Sequence, residues 1–334
     1  MSHRNFITTQ DWSADELQAL IDDAGVLKSK PIQPRIEGRT VALVFFNPSL
    51  RTRTSFEVGA WQMGAHAVVL EPGKGAWAMA FEDGEVMDGE AEEHVREAAR
   101  VLSRYCDLIA VRRFPEFKDW SIDRRDHVIK AFAKHATVPV INMETIVHPC
   151  QELAHAMALQ ERLGNLKNKK YVLTWTYHPK PLNTAVANSA AMISTKLGMD
   201  VTLLCPDERY LLDPMFMEAA QQNAKDSGGS FRVSHDIDEA YKGADVVYAK
   251  SWGSLAMYGH WEDERAVRQK FKHFIVDEAK MAKTNNAVFS HCLPARRNIK
   301  ATDAVMDSAS SLIIEEAENR LHVQKALMSK LLGD

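Results

Sequence analysis

Three short stretches gather side chains able to grip an anion and polarise a carbonyl group. The first, Asn47 to Phe56, reads NPSLRTRTSF. It follows the apolar run VALVFF and opens a segment of helical period, so Ser49, Leu50, Arg51, Thr52, Arg53 and Thr54 stand at a strand-to-helix turn. At such a turn the first backbone N–H groups of the helix lack partners and the helix dipole is positive. Hydroxyl and guanidinium groups add donors and charge, which makes a phosphate site without a glycine-rich loop. Taken alone, the stretch reads more simply as a capped helix carrying two surface arginines. The second stretch, HPCQ at 148–151, puts an imidazole, a thiol and an amide at a helix start. The third, HCLPARRN at 291–298, places His291 and Cys292 after the strand-like AVFS. One histidine in such a place is more often structural. Three such stretches in order are hard to dismiss.

The elements that must position these groups alternate along the chain. Short apolar runs predict strands at 41–46, 67–70, 108–111 and 138–141, then at 171–175, 201–204, 231–233, 246–248, 274–276 and 287–290. Segments of helical period predict helices at 14–29, 53–63, 92–105, 151–163, 182–197 and 318–332. Such alternation predicts an α/β protein with two doubly wound parallel sheets. We place a first domain at 1–147, a second at 148–316, and a helix over 317–334. Ligands in this architecture bind where strand ends meet helix starts, commonly between domains. The Gly-rich segment 72–88 reads as a long mobile loop of functional kind.

Composition excludes several classes. The 334 residues are 46% hydrophobic and 26% charged, with a net charge of −4, which argues against general binding to nucleic acid or membrane surfaces. The N-terminal MSHRNFITTQDWS holds no signal-like apolar run, and no later stretch approaches a membrane span. Cys106, Cys150, Cys205 and Cys292 lie far apart and match no zinc spacing, so we expect reduced thiols in a cytoplasmic protein without a metal site. No glycine fingerprint follows a strand, which disfavours a nicotinamide dehydrogenase.

Together the three stretches resemble the aspartate/ornithine carbamoyltransferase family. Its Ser-x-Arg-Thr-Arg motif stands here as Ser49 to Arg53, its His-Pro-x-Gln as His148 to Gln151, and its His-Cys-Leu-Pro as His291 to Pro294. FFNPSLRTRTSFE, VINMETIVHPCQELAHA, VLTWTYHPKPLNTAVANS and DVVYAKSW further resemble the branch that uses N-acetyl-L-ornithine. The resemblance implies transfer of a carbamoyl group from carbamoyl phosphate to a side-chain amine, giving N-acetyl-L-citrulline and phosphate in arginine biosynthesis. Ornithine and N-succinylornithine are the alternative amines. It also implies a carbamoyl-phosphate domain first, a C-terminal helix packing back on it, a homotrimer with shared sites, and a knot encircled by the proline-bearing TYHPKPLN.

The chemistry sets roles for named residues. Ser49–Thr54 with Arg51 and Arg53 would hold the phosphate as its charge grows. By resemblance Thr52, Arg112 and His148 would donate to the developing oxyanion. Gln151 and the carbonyls of Cys292 and Leu293 would accept from the carbamoyl NH2. Glu144 is a candidate to orient the amine, and phosphate itself could take the proton. Direct attack needs no acyl-enzyme, which disfavours Cys292 as a nucleophile, and no step needs a metal or organic cofactor. A binding protein derived from this fold would not need the oxyanion donors.

One position speaks to the amine. Ornithine-using members carry an Asp that holds the substrate α-ammonium, and Lys250 in VVYAKSW takes its place here. A lysine repels an α-ammonium and suits an acylated amine whose remaining charge is a carboxylate; its plain reading is a solvated surface lysine. The resemblance also brings Lys300, carbamylated in some relatives, into the substrate site, with Trp77 and Glu92 reaching in from a neighbouring subunit. Glu92 would repel a succinyl carboxylate, which favours acetyl.

Overall fold

The computed structural model describes residues 4–333. The chain forms two compact units, the first from residues up to Glu116, Ser121–Cys150 and residues from Asn319 on, the second from Phe117–Trp120 and Gln151–Glu318. In chain order come α1 (Ala14–Ser29), β1 (Thr40–Phe45), α2 (Arg51–Gln62), β2 (His66–Leu70), β3 (Met79–Ala80), β4 (Glu93–His94), α3 (Val95–Tyr105) and β5 (Leu108–Arg112). Then follow α4 (Trp120–Asp123), α5 (His127–His135), β6 (Val140–Glu144), α6 (Pro149–Leu163), β7 (Lys170–Trp175), α7 (Ala185–Lys196), β8 (Asp200–Leu204) and α8 (Pro214–Ser227). The remainder is β9 (Ser230–Ser234), α9 (Ile237–Tyr241), β10 (Val246–Lys250), α10 (Trp261–Arg268), α11 (Glu278–Met281), β11 (Val288–Ser290), α12 (Asp303–Met306) and α13 (Ile313–Leu332).

Each unit is built on a parallel sheet. The first has the order β2-β1-β5-β6 and the second β11-β10-β7-β8-β9. Residues 41–45 of β1 are all buried, as a strand covered on both faces demands. The order in which strands are added switches side between β1 and β5 in the first sheet and between β7 and β10 in the second, all four strands running parallel to these neighbours. These are the switch points, where strand ends leave a crevice. Phe45 pairs with Arg112 at one, and Trp175 with Lys250 at the other. Among the described residues no helix is long and apolar enough to cross a membrane.

Local chemistry sets the element ends. Ser13 and Glu16 form a capping box at α1, and Asp213 caps α8 with Pro214 in its first turn. The later turns of α13 pack in the first unit: Lys325 Nζ donates to the carbonyls of Leu27 (3.0 Å) and Pro31 (3.1 Å) and to Gln62 Oε1 (2.9 Å). A Cβ at Gly59 on α2 would lie 3.3 Å from Lys325 Cγ, so the close approach favours glycine.

Several expectations need correction. No strand forms at 274–276: a 3-10 turn, Gln269–Phe274, packs Phe274 against Trp175, and Val276 makes one bridge to Ala301. The helix expected from 318 starts at Ile313, because Glu316 is buried rather than solvated. The helix expected from 182 starts at Ala185, where the Asn183 side chain accepts from the Ala185 N–H. The segment 72–88 is also fastened, through Asp83 to Arg96 and Lys134 and through Phe81 against Phe46.

Asp126 gives a testable stability signature. It sits at the start of α5 with φ 51°, and Thr145 Oγ1 donates to its Oδ2 at 2.7 Å. Burial pushes its carboxyl up to about 6 against the opposing pull of Thr145 and Lys130. A raised acid pKa favours the folded state at low pH, and that contribution is lost as pH rises from about 4 through about 6. Asp126→Asn keeps the acceptor and tolerates the left-handed backbone. It should leave stability little changed at pH 4 and raise it by about 1–3 kcal/mol at pH 8, read as urea midpoints at the two values. An equal shift at both would refute the titration.

Candidate active site

In the first unit the switch point gathers cations around one hydroxyl. Ser49 Oγ accepts from the Thr52 N–H at 3.2 Å, which turns the chain into α2. Thr52 is buried, and its Oγ1 accepts from Arg320 Nη2 (2.6 Å) and Arg112 Nη1 (3.3 Å). With both lone pairs engaged, the hydroxyl proton is left to donate elsewhere. Arg112 ends β5 at an irregularity in its pairing with β6, and the shift sets it opposite Glu144. Its Nη1 lies 2.7 Å from Glu144 Oε2, and His148 Nε2 lies 3.4 Å from the same oxygen. Burial, with repulsion from Arg112 and Arg51, pushes the Arg320 guanidinium down to about 10. Arg51, Arg112 and Arg320 gather beside the carboxylate of Glu144, a cationic neighbourhood suited to an anion.

Not every expected group joins this cluster. Arg53 turns toward Glu57 (3.4 Å) and Glu71 (3.6 Å), and Leu50 and Thr54 are exposed. Glu144, expected to orient an amine, is paired with Arg112. Arg320 went unnoticed in the sequence because it lies far along the chain on an ordinary-looking helix.

The second unit holds another cationic group, built from Lys250, Arg296 and Lys300. Lys250 is 8% exposed, which excludes a solvated lysine. It lies at the end of β10, on the switch point with β7. His178 follows β7; its Nε2 accepts from Arg296 Nε (3.1 Å) while its Nδ1 faces the Lys180 carbonyl (2.8 Å). Burial first, then the charges of Lys300, Arg296 and Lys250, push this imidazole down to about 4.

The surroundings of Lys300 favour its neutral amine form. The Leu293 N–H donates to His291 Nδ1 (2.8 Å), so the proton of the neutral ring sits on Nε2, facing Lys300 Nζ at 3.0 Å. In that tautomer the ring donates and the neutral lysine amine accepts. Burial and the charges of Lys250 and Arg296 push it down to about 7. His291 is thereby committed at both nitrogens, which argues against its serving as base to the buried Cys292 thiol. Leu293 adopts φ 53°, a strained conformation for a branched side chain.

Gln151 opens α6 in the second unit, where its Nε2 donates to Glu316 Oε1 at 2.5 Å. Trp77 is 68% exposed and Glu92 is exposed, so neither touches these clusters as a buried group would. His178 and Arg296 were missed as site residues; the HP and RR pairs in their stretches were the available signals. Among the described residues no group of three or more His, Cys, Asp or Glu is placed to hold a metal ion.

The chain is similar to known proteins over its whole length. Residues 4–161 match the sequence profile described as aspartate/ornithine carbamoyltransferase, carbamoyl-P binding domain, and residues 177–331 match its Asp/Orn binding domain. N-acetylornithine carbamoyltransferase of Xanthomonas campestris pv. campestris is 65% identical over 335 residues, spanning 100% of this chain and 99% of its own. A crystal structure of acetylornithine transcarbamylase complexed with acetylcitrulline superposes with a TM-score of 0.98 at 65% identity, covering 99% of this chain and 100% of its own. An E92A mutant of N-acetyl-L-ornithine transcarbamylase, crystallised with carbamyl phosphate and N-succinyl-L-norvaline, gives 0.97 at 65% identity, covering 98% and 99%.

Proposed function

The chain belongs to the aspartate/ornithine carbamoyltransferase family, and on that premise we propose how its two cationic groups divide the transfer of a carbamoyl group to N-acetyl-L-ornithine, a step of arginine biosynthesis. The observation that carries the choice of amine is the buried Lys250 beside Lys300, His178 and Arg296. An α-ammonium would add a charge to a group that already pushes its own lysine toward neutrality. An α-carboxylate would relieve it.

Carbamoyl phosphate binds with its phosphate at the start of α2, held by Ser49, Arg51 and the backbone, and its carbonyl oxygen receives the Thr52 proton, Arg112 and His148. These donors aim at charge that grows in the transition state, where each is worth most. Gln151 and the carbonyls of Cys292 and Leu293 accept from the carbamoyl NH2. The side-chain amine attacks the carbonyl carbon, the C–O bond to phosphate breaks, and phosphate takes the amine proton. Holding an alkyl amine neutral near pH 7 costs roughly 4–5 kcal/mol, a cost that cationic surroundings reduce. A neutral Lys300 is also the form that can add carbon dioxide, losing a proton to give a carbamate.

In our reading the enzyme is a cytoplasmic homotrimer, and Trp77 and Glu92 complete the site of a neighbouring subunit. Their exposure suits that role. Glu92 would then face the acyl group and repel a succinyl carboxylate; the relative's E92A complex with a succinyl compound is in keeping with this. Glu92→Ala should raise kcat/KM for N-succinylornithine by about 10- to 100-fold, the worth of relieving roughly 1.4–3 kcal/mol of repulsion. An unchanged ratio of succinyl to acetyl substrate would remove Glu92 from the site. Activity itself is tested by a colorimetric assay for citrulline-type product with ornithine, N-acetylornithine and N-succinylornithine; no product with any of the three would refute the assignment.

A further inference from the structure

A buried carboxylate behind Gln151 has no role in the chemistry described so far. Glu316, in the first full turn of α13, is completely buried in the second unit. Its Oε1 accepts from Gln151 Nε2 (2.5 Å) and Tyr248 OH (3.0 Å), and its Oε2 from Ser290 Oγ (2.5 Å) and His155 Nδ1 (2.8 Å). The imidazole Nε2 in turn lies 2.9 Å from Tyr171 OH. Four donors converge on one carboxylate and fill its acceptor sites, so it is held as the anion and can only accept. His155 and its neighbours keep it below the usual carboxylate range despite burial.

We propose that Glu316 is a positioning residue for carbamoyl transfer: it fixes which end of the Gln151 amide faces the substrate. An amide can turn over and exchange its oxygen for its nitrogen. An anion behind it admits only the NH2 end, which directs the carbonyl oxygen away from Glu316. That oxygen is the end able to accept from a carbamoyl NH2. Ser290 immediately precedes His291 and Cys292, and Tyr248 lies two residues before Lys250, so the same carboxylate ties three functional strand and helix ends together. A neutral amide at 316 would offer a donor of its own, and Gln151 could then turn over.

The inference rests on the carbamoyl-transfer reading, which the parent enzyme tests separately: a parent without transfer activity sinks both. In an active parent, Glu316→Gln should lower kcat by about 10- to 100-fold with the KM for carbamoyl phosphate changed by less than about threefold. The deciding measurement is a double-mutant cycle with Gln151→Ala. If Glu316 acts through Gln151, the second substitution adds little to the first. Full multiplication of the two losses, or an unchanged kcat in Glu316→Gln, overturns the proposal. Should Glu316→Gln fail to fold, Tyr248→Phe removes the other donor on the same oxygen. It should then lower kcat about 3- to 10-fold, again without further loss on Gln151→Ala; an unchanged or fully multiplied loss overturns the proposal equally.

Discussion

Ornithine should be carbamoylated about a thousandfold less efficiently than N-acetylornithine. At about 4 Å and an effective dielectric near 20, a misplaced like charge costs roughly 4 kcal/mol, which is about a thousandfold in kcat/KM. Lys300 lies in the same group, where burial first and the charge of Lys250 next push its amine down to about 7, so the surroundings disfavour a further ammonium. Acetylation removes the α-ammonium and leaves the carboxylate, which the cationic group favours. The measurement is kcat/KM for both amines at saturating carbamoyl phosphate. Lys250→Asp should narrow the ratio, because it restores an acid at the end of β10. Comparable efficiencies with the parent enzyme would sink the charge argument.

The largest loss from one substitution is expected at Arg112. Arg112→Ala removes the donor we assign to the developing oxyanion, a loss worth about 10²–10³ in kcat. It also strands Glu144, whose partner lies at 2.7 Å with both side chains about a tenth exposed. Leaving one member of a buried pair alone typically costs about 3–5 kcal/mol. The two effects separate in the double variant Arg112→Ala/Glu144→Gln, which should recover most of the stability and none of the turnover. Urea unfolding and kcat are the two readouts. A folded Arg112→Ala enzyme within tenfold of the parent kcat would take Arg112 out of the chemistry.

The legible parts of this chain were those where one residue's type reports its surroundings. The apolar run at β1 and the hydroxyl–arginine sequence after it placed a strand-to-helix turn, and α2 begins there. The α/β class followed from alternation alone, and the two parallel sheets are present. Lys250 was readable as a charge reversal only against the family pattern; its burial was not, since most lysines are solvated. Arg53 looked equivalent to Arg51, but helical spacing set Glu57 one turn away to draw it off. Glu316 and Arg320 defeated the reading because charged helix positions pass for a solvated face, and the partners Gln151 and Thr52 are more than a hundred residues away. Pair geometry at that separation has no local signal.

The return of α13 to the first unit has a consequence for how the protein comes into being. Arg320 and Lys325 complete a body whose other segments end at Cys150. A ribosome adding 5–20 residues per second needs roughly 10–30 s to make the intervening length. Through that interval the earlier-translated half carries an unfilled groove beside Gly59 and an unsupported Thr52, while the later half can already close on itself. A nonsense mutation just after Glu318 would therefore damage the part of the protein translated first: the second unit would keep its sheet and Glu316, and the first unit would lose the cover over Thr52 and Gly59.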